Sequence, residues 1–272
     1  MALSDSRFDV NLSILFTEFP LLERPAAAAA AGFTAVELWW PWPDSPTPDP
    51  AELDALRDAL RDAGTQLVGL NFYAGQLPGP DRGALSIPGE ESDRFRANIG
   101  VAADFADSVG CRALNALYGN RVAGATPEQQ DTLALENLVA AAQAADRIGA
   151  ILLIEALNTP ESPDYPLVTA ESAVAVVDRV NSVSGLGNTK FLLDLYHLAR
   201  GGADLHEVIE RYADKAGHVQ IADNPGRGAP GTGELDFVAL LDHLTKAGYD
   251  GWTGLEYKPA GDSAQSFTWL RR

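Results

Sequence analysis

The segment Ile151-Leu152-Leu153-Ile154-Glu155 is a short apolar run that ends in a carboxylate. An apolar run of this length, bounded by polar residues, is typical of a buried strand in a parallel sheet. Comparable runs recur along the chain, at residues 10–15, 35–39, 66–72, 111–117, 150–155, 189–194, 217–222 and 251–256. Segments with helical spacing separate these runs, and this alternation predicts repeated βα units around a parallel sheet.

The helices between the runs are marked by their ends. Thr126-Pro127-Glu128-Gln129 reads as a capping box with proline at the first helical position, and it opens an alanine-rich helix that ends near Gly149. Pro25 interrupts the segment 21–31, so we expect the first helix to begin at this proline.

No linker or shift in composition divides the chain, and strand starts recur to its end. We therefore expect an α/β protein whose residues 1–272 form one closed (β/α)8 TIM barrel as a single domain. The alternative is an open doubly wound sheet. Against it, the first run continues into Leu15-Phe16-Thr17-Glu18 and not into a G-x-G-x-x-G turn.

The composition excludes several classes of partner. The chain has 38 acidic and 20 basic residues and a formal net charge of -18, which would repel nucleic acid. No window approaches the 18 or more apolar residues of a membrane span. The single cysteine, Cys111, lies in an apolar run and is expected to be a buried thiol in a cytoplasmic protein. A homo-oligomer is compatible with the sequence, which does not define the oligomeric state.

Carboxylate or carboxamide side chains lie at the ends of four consecutive predicted strands. In a barrel of this kind catalytic groups stand at the carboxyl ends of the strands, where these side chains would converge. A lone carboxylate is more commonly a helix cap or a surface ion partner, but several in register would repel each other unless a cation lay between them. Oxygen ligands favour Mg²⁺ or Mn²⁺. The predicted ligands are Glu155, Asp194, Gln220 and Glu256.

The four histidines differ in their predicted locations and roles. His197 follows Asp194 by three residues, which predicts a position on the loop above the same mouth and contact with a substrate. His218 points to the same side of its strand as Gln220 but lies deeper in the barrel. At that depth the sequence is equally consistent with a packing role and with a functional role. His206 and His243 fall on predicted helices and are expected at the surface.

The sequence resembles the hydroxypyruvate isomerase family, a branch of the xylose-isomerase-like barrels. Five segments carry the resemblance: 11–16, 31–37, 82–89, the stretch from His218-Val219-Gln220 to Gly233-Glu234, and 251–259. The resemblance implies a metal site at the four strand-end residues, with Glu155 and Glu256 also serving as the proton-transfer pair. His197, Arg227 and Glu161 match substrate-contacting positions in the wider superfamily of ketose epimerases.

The expected reaction moves hydrogen between neighbouring carbons of a small hydroxy-keto acid. Hydroxypyruvate and tartronate semialdehyde differ in this way, and a cis-enediolate is the natural intermediate. The substrate carboxylate needs cationic anchors, and the candidates are Arg227, Lys258 and Arg82. The segments 39–43 and 156–161 depart from the family pattern, which bears on the identity of the substrate.

Other functions stay open on the same barrel. One is isomerisation of a longer acid such as 2-oxo-tetronate, whose enzymes share Phe16-Thr17-Glu18, Pro20 and Glu23-Arg24 with this chain. Others are a dehydratase, a carbohydrate epimerase, or a non-catalytic binding barrel, although retention of all four ligand types disfavours the last. A superfamily nuclease is disfavoured, because a multi-zinc site would need more than the 4 histidines present.

Overall fold

Eight parallel strands close into a barrel in the computed structural model, which describes residues 7–271. They are β1 (Arg7–Asn11), β2 (Ala35–Leu38), β3 (Gln66–Asn71), β4 (Ala113–Asn115), β5 (Ile151–Glu155), β6 (Thr189–Asp194), β7 (Ala216–Ile221) and β8 (Trp252–Leu255). Neighbours in the sequence are neighbours in the sheet, and β1 pairs with β8 to complete the circle. The predicted TIM barrel is confirmed and the open sheet is wrong. Residues 1–6 and 272 of the predicted domain lie outside the described part.

Helices connect the strands and cover the outside of the barrel. They are α1 (Arg24–Ala30), α2 (Pro50–Ala63), α3 (Glu90–Ser108), α4 (Pro127–Arg147), α5 (Ala170–Ser184), α6 (Leu195–Arg200), α7 (Leu205–Tyr212) and α8 (Phe237–Lys246). Short 3₁₀ helices lie at Leu21–Glu23, Ala213–Lys215 and Ser263–Arg271. No helix among the described residues has both the length and the apolar character needed to cross a bilayer.

The capping signals in the sequence explain where the helices begin. Thr126 accepts a hydrogen bond from the backbone N–H of Gln129, and the Gln129 side chain accepts one from the Thr126 N–H, which confirms the predicted capping box of α4. Helix α1 begins at Arg24, one residue before the predicted start. Pro25 therefore lies in the first turn, where its missing N–H leaves no hydrogen bond unmade.

The first strand was predicted at 10–15, and this prediction is wrong in its position. The observed β1 begins at Arg7, because Phe8 and Asp9 extend along β8 despite the charge of Asp9. The strand ends at Asn11, whose side-chain Oδ1 accepts from the N–H of Ser13 and whose carbonyl accepts from Leu15. Asp9 is fully buried, so a polar residue that the pattern assigns to a loop in fact belongs to the strand.

The apolar core lies mainly between the barrel and its helices. Leu56 of α2, Leu138 of α4 and Val177 of α5 are buried against the strands in one large cluster. A second, small apolar cluster joins β4, β5 and β6 through Ala113, Leu153 and Leu192. Leu153 and Leu192 line a small internal cavity together with Glu37 and His218, so this cluster fills one side of the barrel interior and polar residues fill the other.

Candidate active site at the carboxyl ends of the strands

The four predicted strand-end residues lie at the same end of the barrel. Glu155 and Asp194 are the last residues of β5 and β6, Gln220 precedes the last residue of β7, and Glu256 directly follows β8. All four side chains are buried, with 2–5% of each residue exposed. A cavity of about 400 Å³ opens above them and is lined by Glu155 and Glu256 but not by Asp194 or Gln220.

Glu155 and Asp194 form the acidic centre of this mouth. Carboxylate atoms of the two residues and a ring nitrogen of His197 lie within 4.8 Å of one another. Burial, followed by the charges of Glu256 and Asp194, raises the pKa of Glu155 well above its usual value. Burial and the Glu256 charge raise the pKa of Asp194 to about 7. Such mutual repulsion in a buried site is relieved by a bound cation.

The side-chain oxygen of Gln220 is placed as a cation ligand would be. Its Nε2 donates to neighbouring carboxylates, while its Oε1 is buried and has no hydrogen-bond partner among residues 7–271. A buried amide oxygen without a donor is costly unless another group satisfies it. Three carboxylates and a free amide oxygen form the donor set that Mg²⁺ and Mn²⁺ prefer. The residues therefore fit a hard divalent cation.

Asp194 also caps helix α6. Its Oδ1 accepts a hydrogen bond from the backbone N–H of His197 at 3.0 Å. One oxygen of Asp194 thus acts as a helix cap, which is a common structural role for a carboxylate at the end of a strand. The other oxygen lies 3.8 Å from His197 Nε2.

His197 was predicted on a loop, but it lies in the first turn of α6 and is buried. The backbone N–H of Asn158 donates to its Nδ1 at 3.1 Å, so Nδ1 carries no proton. Burial and the charges of Arg227 and Arg82 lower the pKa of His197 well below its usual value, which keeps the ring neutral. Its proton is then on Nε2, which faces Glu155 and Asp194 at 4.0 and 3.8 Å. Nε2 is therefore a hydrogen-bond donor and not a metal ligand.

Glu256 is surrounded by hydrogen-bond donors. Its Oε1 accepts from Asn11 Nδ2 at 2.9 Å and from Trp39 Nε1 at 2.7 Å, and its Oε2 pairs with Arg227. Burial raises its pKa, although Arg227 acts in the opposite direction. The tryptophan-rich segment after β2 thus supplies a direct partner of Glu256.

Arg227 lies on the loop after β7, and the loop fixes its position. Asp223 is buried and accepts from the backbone N–H groups of Gly231, Gly233 and Leu235, which folds the loop back on itself. Arg227 has a left-handed φ of 53°, an uncommon backbone conformation for a residue with a side chain. Its guanidinium lies 5.3 Å from the centroid of the Tyr196 ring. The Nη1 atom makes no hydrogen bond with the described residues and remains available for an anion.

The other two predicted cations differ from Arg227. Arg82 donates to Ser162 Oγ and to the backbone carbonyls of Gly79, Asp81 and Glu161, so it ties the loop after β3 to the loop after β5. It lines the cavity, but most of its donors are used. Lys258 also lines the cavity, is exposed, and forms no salt bridge with any described residue.

Glu161 also lines the cavity. Its Oε1 accepts from the Tyr196 hydroxyl at 2.9 Å and its Oε2 accepts from Asn158 Nδ2 at 3.0 Å. Burial raises its pKa, but these two hydrogen bonds together with the charges of Arg227 and Lys258 outweigh burial and lower it overall. Glu161 therefore stays ionised and can accept a hydrogen bond from a substrate hydroxyl.

A second polar cluster lies inside the barrel, formed by Asp9 of β1, Glu37 of β2 and His218 of β7. His218 Nε2 lies 2.7 Å from Glu37 Oε2 and 3.8 Å from Asp9 Oδ2. Burial lowers the pKa of His218, but Glu37 and Asp9 outweigh it and raise the pKa to about 9. Burial and Glu37 raise the pKa of Asp9. His218 therefore belongs to a polar network and is not a packing residue.

Sequence reasoning missed several partners of the site: Asn11, Trp39, Asn115, Asn158, Tyr196 and Glu37. Asn115 ends β4 and donates to Glu155 Oε2 at 3.0 Å. The rule that polar residues end strands would have found Asn11 and Asn115, because each is the last residue of its strand. Trp39 and Asn158 lie on loops, where no pattern indicates the direction of a side chain.

Comparison with known proteins agrees with this architecture. Residues 25–272 match the xylose isomerase-like TIM barrel family. A Streptomyces coelicolor protein that is provisionally named a hydroxypyruvate isomerase is 76% identical over 271 residues, covering 99% of this chain and 97% of the relative. The 2-oxo-tetronate isomerase of Cupriavidus necator is 36% identical and covers 97% of each chain.

A solved structure is also similar along the whole chain. This chain superimposes on the crystal structure of a Brucella melitensis protein named AP endonuclease, family 2, with a TM-score of 0.86. The two chains are 34% identical, and the match covers 98% of each. The chain belongs to the hydroxypyruvate isomerase family of xylose isomerase-like TIM barrels. This membership confirms the prediction of an isomerase.

Proposed function

We propose that the chain is a metal-dependent isomerase that interconverts hydroxypyruvate and tartronate semialdehyde (2-hydroxy-3-oxopropanoate). The observation that carries the proposal is the pair Glu155 and Glu256, two buried carboxylates from different strands that line one cavity. The reaction requires one group that takes a proton and another that returns one at the neighbouring carbon. The relatives with hydroxypyruvate isomerase names support the choice of substrate.

Glu155, Asp194, Gln220 and Glu256 would hold the divalent cation, Mg²⁺ or Mn²⁺. When bound, such a cation supplies Lewis-acid stabilisation of negative charge on the substrate oxygens. The unpartnered Gln220 Oε1 and the repulsion among the three carboxylates support this ligand set.

The two glutamates carry the proton transfers. One takes a proton from C3 of hydroxypyruvate and leaves an enediolate, and the other delivers a proton to C2, while the hydroxyl proton moves from O3 to O2. The roles exchange in the reverse reaction. Neutral His197 donates from Nε2 to a substrate oxygen in this scheme, and Glu161 accepts from a substrate hydroxyl.

The substrate carboxylate binds to cations on the cavity wall. Arg227 is the main anchor, because Nη1 is unused and the rest of its guanidinium is held by Glu256. Lys258 supplies a second positive charge from the exposed rim. Arg82 acts mainly by holding two loops of the cavity together.

A longer acid is the second candidate substrate. The cavity of about 400 Å³ is larger than a three-carbon acid needs and lies within the size range of sites for larger ligands. The Cupriavidus necator relative named 2-oxo-tetronate isomerase supports the same alternative. A nuclease activity has less support, since His197 is the one histidine among the described residues that lines the cavity.

The test is a substrate panel in D₂O. Metal-loaded protein is incubated with hydroxypyruvate, 2-oxo-tetronate and other small hydroxy-keto acids, and NMR follows product formation and deuterium at the two carbons. Rapid conversion of hydroxypyruvate with deuterium incorporation is expected. Conversion of 2-oxo-tetronate alone would move the assignment to the longer acid, and no conversion or exchange with any acid would refute an isomerase of this class.

A further inference from the structure

The Gln220 side chain presents an orientation problem at the proposed metal site. A carboxylate has two equivalent oxygens, but a carboxamide can ligate a cation only through Oε1, and a half-turn about its last bond exchanges Oε1 with Nε2. Something in the barrel must therefore hold the amide with its oxygen free. The contacts of Nε2 identify that group.

Gln220 Nε2 donates to Glu37 Oε1 at 2.7 Å, whereas its contact with Glu256 Oε1 is longer, at 3.4 Å. A turned amide would bring Oε1 against these carboxylate oxygens and would repel both. The short bond makes Glu37 the main determinant of the amide orientation. Glu37 belongs to β2 and does not line the substrate cavity, so it does not contact a ligand there.

Glu37 is itself held from several directions. Asn11 Nδ2 donates to its Oε1 at 3.0 Å, and His218 Nε2 lies 2.7 Å from its Oε2. Two glycines on other strands leave room for the side chain. A Cβ at Gly254 would lie 2.7 Å from Glu37 Oε1, and one at Gly69 would lie 3.2 Å from Glu37 Cβ. The carboxylate thus occupies a fitted slot between β3 and β8.

We propose that Glu37 is a positioning residue, which fixes the carboxamide of Gln220 with Oε1 free for the divalent cation and is held in place by His218, Asn11 and the slot between Gly69 and Gly254. Glu37 acts through Gln220 and touches neither cation nor substrate. The inference rests on the metal site of the proposed function but not on the identity of the substrate.

The experiment measures Mn²⁺ binding to metal-free protein by calorimetry and by electron paramagnetic resonance, without substrate. Glu37→Met removes the acceptor for Gln220 Nε2, and we expect the Kd for Mn²⁺ to rise about 10- to 100-fold. Gly254→Ala keeps every charged group but pushes the Glu37 carboxylate out of its slot, and it should weaken binding in the same direction. This second variant separates positioning from the loss of a negative charge.

Two further variants serve as controls. Asp9→Asn changes the same buried cluster but makes no contact with Gln220, so it should shift the melting temperature of metal-free protein without changing the Kd. Glu37→Gln keeps an acceptor oxygen for Gln220 Nε2 and should recover much of the affinity that Glu37→Met loses. If Glu37→Met does not fold, Gly254→Ala measured against Asp9→Asn decides the question.

The outcomes are distinct. Wild-type affinity in Glu37→Met or in Gly254→Ala overturns the proposal, as does equal weakening in Asp9→Asn. A second Mn²⁺ per chain that is lost in Asp9→Asn also overturns it, because the cluster would then be a cation site. Wild-type protein that binds no Mn²⁺ overturns it as well. Wild-type protein that binds one Mn²⁺ but isomerises no acid refutes the proposed function and leaves this inference standing.

Discussion

Replacing either proposed catalytic glutamate by glutamine should slow the reaction strongly, but the two variants should differ in stability. Every hydrogen-bonding neighbour of the Glu256 carboxylate among residues 7–271 is a donor: Asn11, Trp39 and Gln220 at Oε1, and Arg227 at Oε2. In Glu256→Gln the new NH₂ group must face at least one of these donors. The variant should therefore lose about 1–3 kcal/mol of stability, which is the usual penalty of an unsatisfied buried polar group.

Glu155 has different surroundings. Within the described part of the chain its carboxylate accepts one hydrogen bond, from Asn115 to Oε2, and its Oε1 faces His197 Nε2 at a distance of 4.0 Å. A glutamine can give its oxygen to Asn115 without opposing another close donor. Burial and the charges of Glu256 and Asp194 raise the pKa of Glu155, so removing its charge relieves repulsion in the metal-free protein. Glu155→Gln should melt at or above the wild-type temperature.

The expected decrease in melting temperature can be calculated from the length of the chain. With about 2.1 cal/mol/K of unfolding entropy per residue, 1–3 kcal/mol corresponds to a melting-temperature decrease of roughly 2–5 °C for Glu256→Gln. The assay is thermal unfolding in EDTA at neutral pH, followed by fluorescence. The same proteins loaded with Mn²⁺ are assayed for isomerisation and for deuterium exchange. Both variants should lose about 10²- to 10⁴-fold in turnover, because each has lost a general acid–base group.

Two results would refute this reasoning. If Glu256→Gln melts at or above wild type, the ring of donors around Glu256 does not stabilise the carboxylate. If both variants keep substantial isomerisation with metal bound, the two-glutamate mechanism is wrong, and His197 becomes the first candidate to replace one of them.

Three further outcomes are expected. Chelator-treated protein should be nearly inactive and recover with Mg²⁺ or Mn²⁺, and full activity in protein shown by elemental analysis to lack metal would exclude a metal requirement. Arg227→Ala should raise KM about 10- to 100-fold, as expected for a hydrogen bond of about 1.5–3 kcal/mol to a charged group, and an unchanged KM would move the anchor to Lys258. Burial raises the pKa of the Cys111 thiol to about 12, so a thiol reagent at pH 8 should label it only after unfolding, and rapid labelling of folded protein would contradict its burial.

The barrel could be predicted from the sequence because its strands are buried on both sides. Runs such as Ile151–Glu155 are apolar up to their last residue and contrast sharply with the polar helices around them. The strand that the pattern misplaced is β1, where Arg7 and Asp9 interrupt the apolar run although Asp9 is fully buried. Hydrophobicity alone places such a strand too late, because a polar residue that faces a polar barrel interior looks like a loop residue.

The strand-end residues could be predicted for a geometric reason, since the carboxyl ends of parallel strands meet at one mouth. The residues that form hydrogen bonds with these strand-end side chains could not be predicted. Trp39 reaches Glu256 from a loop, and Glu37 reaches Gln220 across the barrel from a strand far away in the sequence. These contacts depend on the direction of side chains after closure, which spacing along one strand does not specify.

The charge balance of the mouth gives a reason for an amide at position 220. Glu155, Asp194 and Glu256 carry three negative charges when ionised, and Arg227 together with the proposed divalent cation would supply three positive ones. A fourth carboxylate at Gln220 would leave this buried site negative before an anionic substrate arrived, and it would also face Glu37 at the 2.7 Å that now separates Gln220 Nε2 from Glu37 Oε1. Gln220 provides a ligand oxygen without adding a charge. The cost of that choice is an amide with one correct orientation, which explains why a buried carboxylate with its own histidine partner lies behind it.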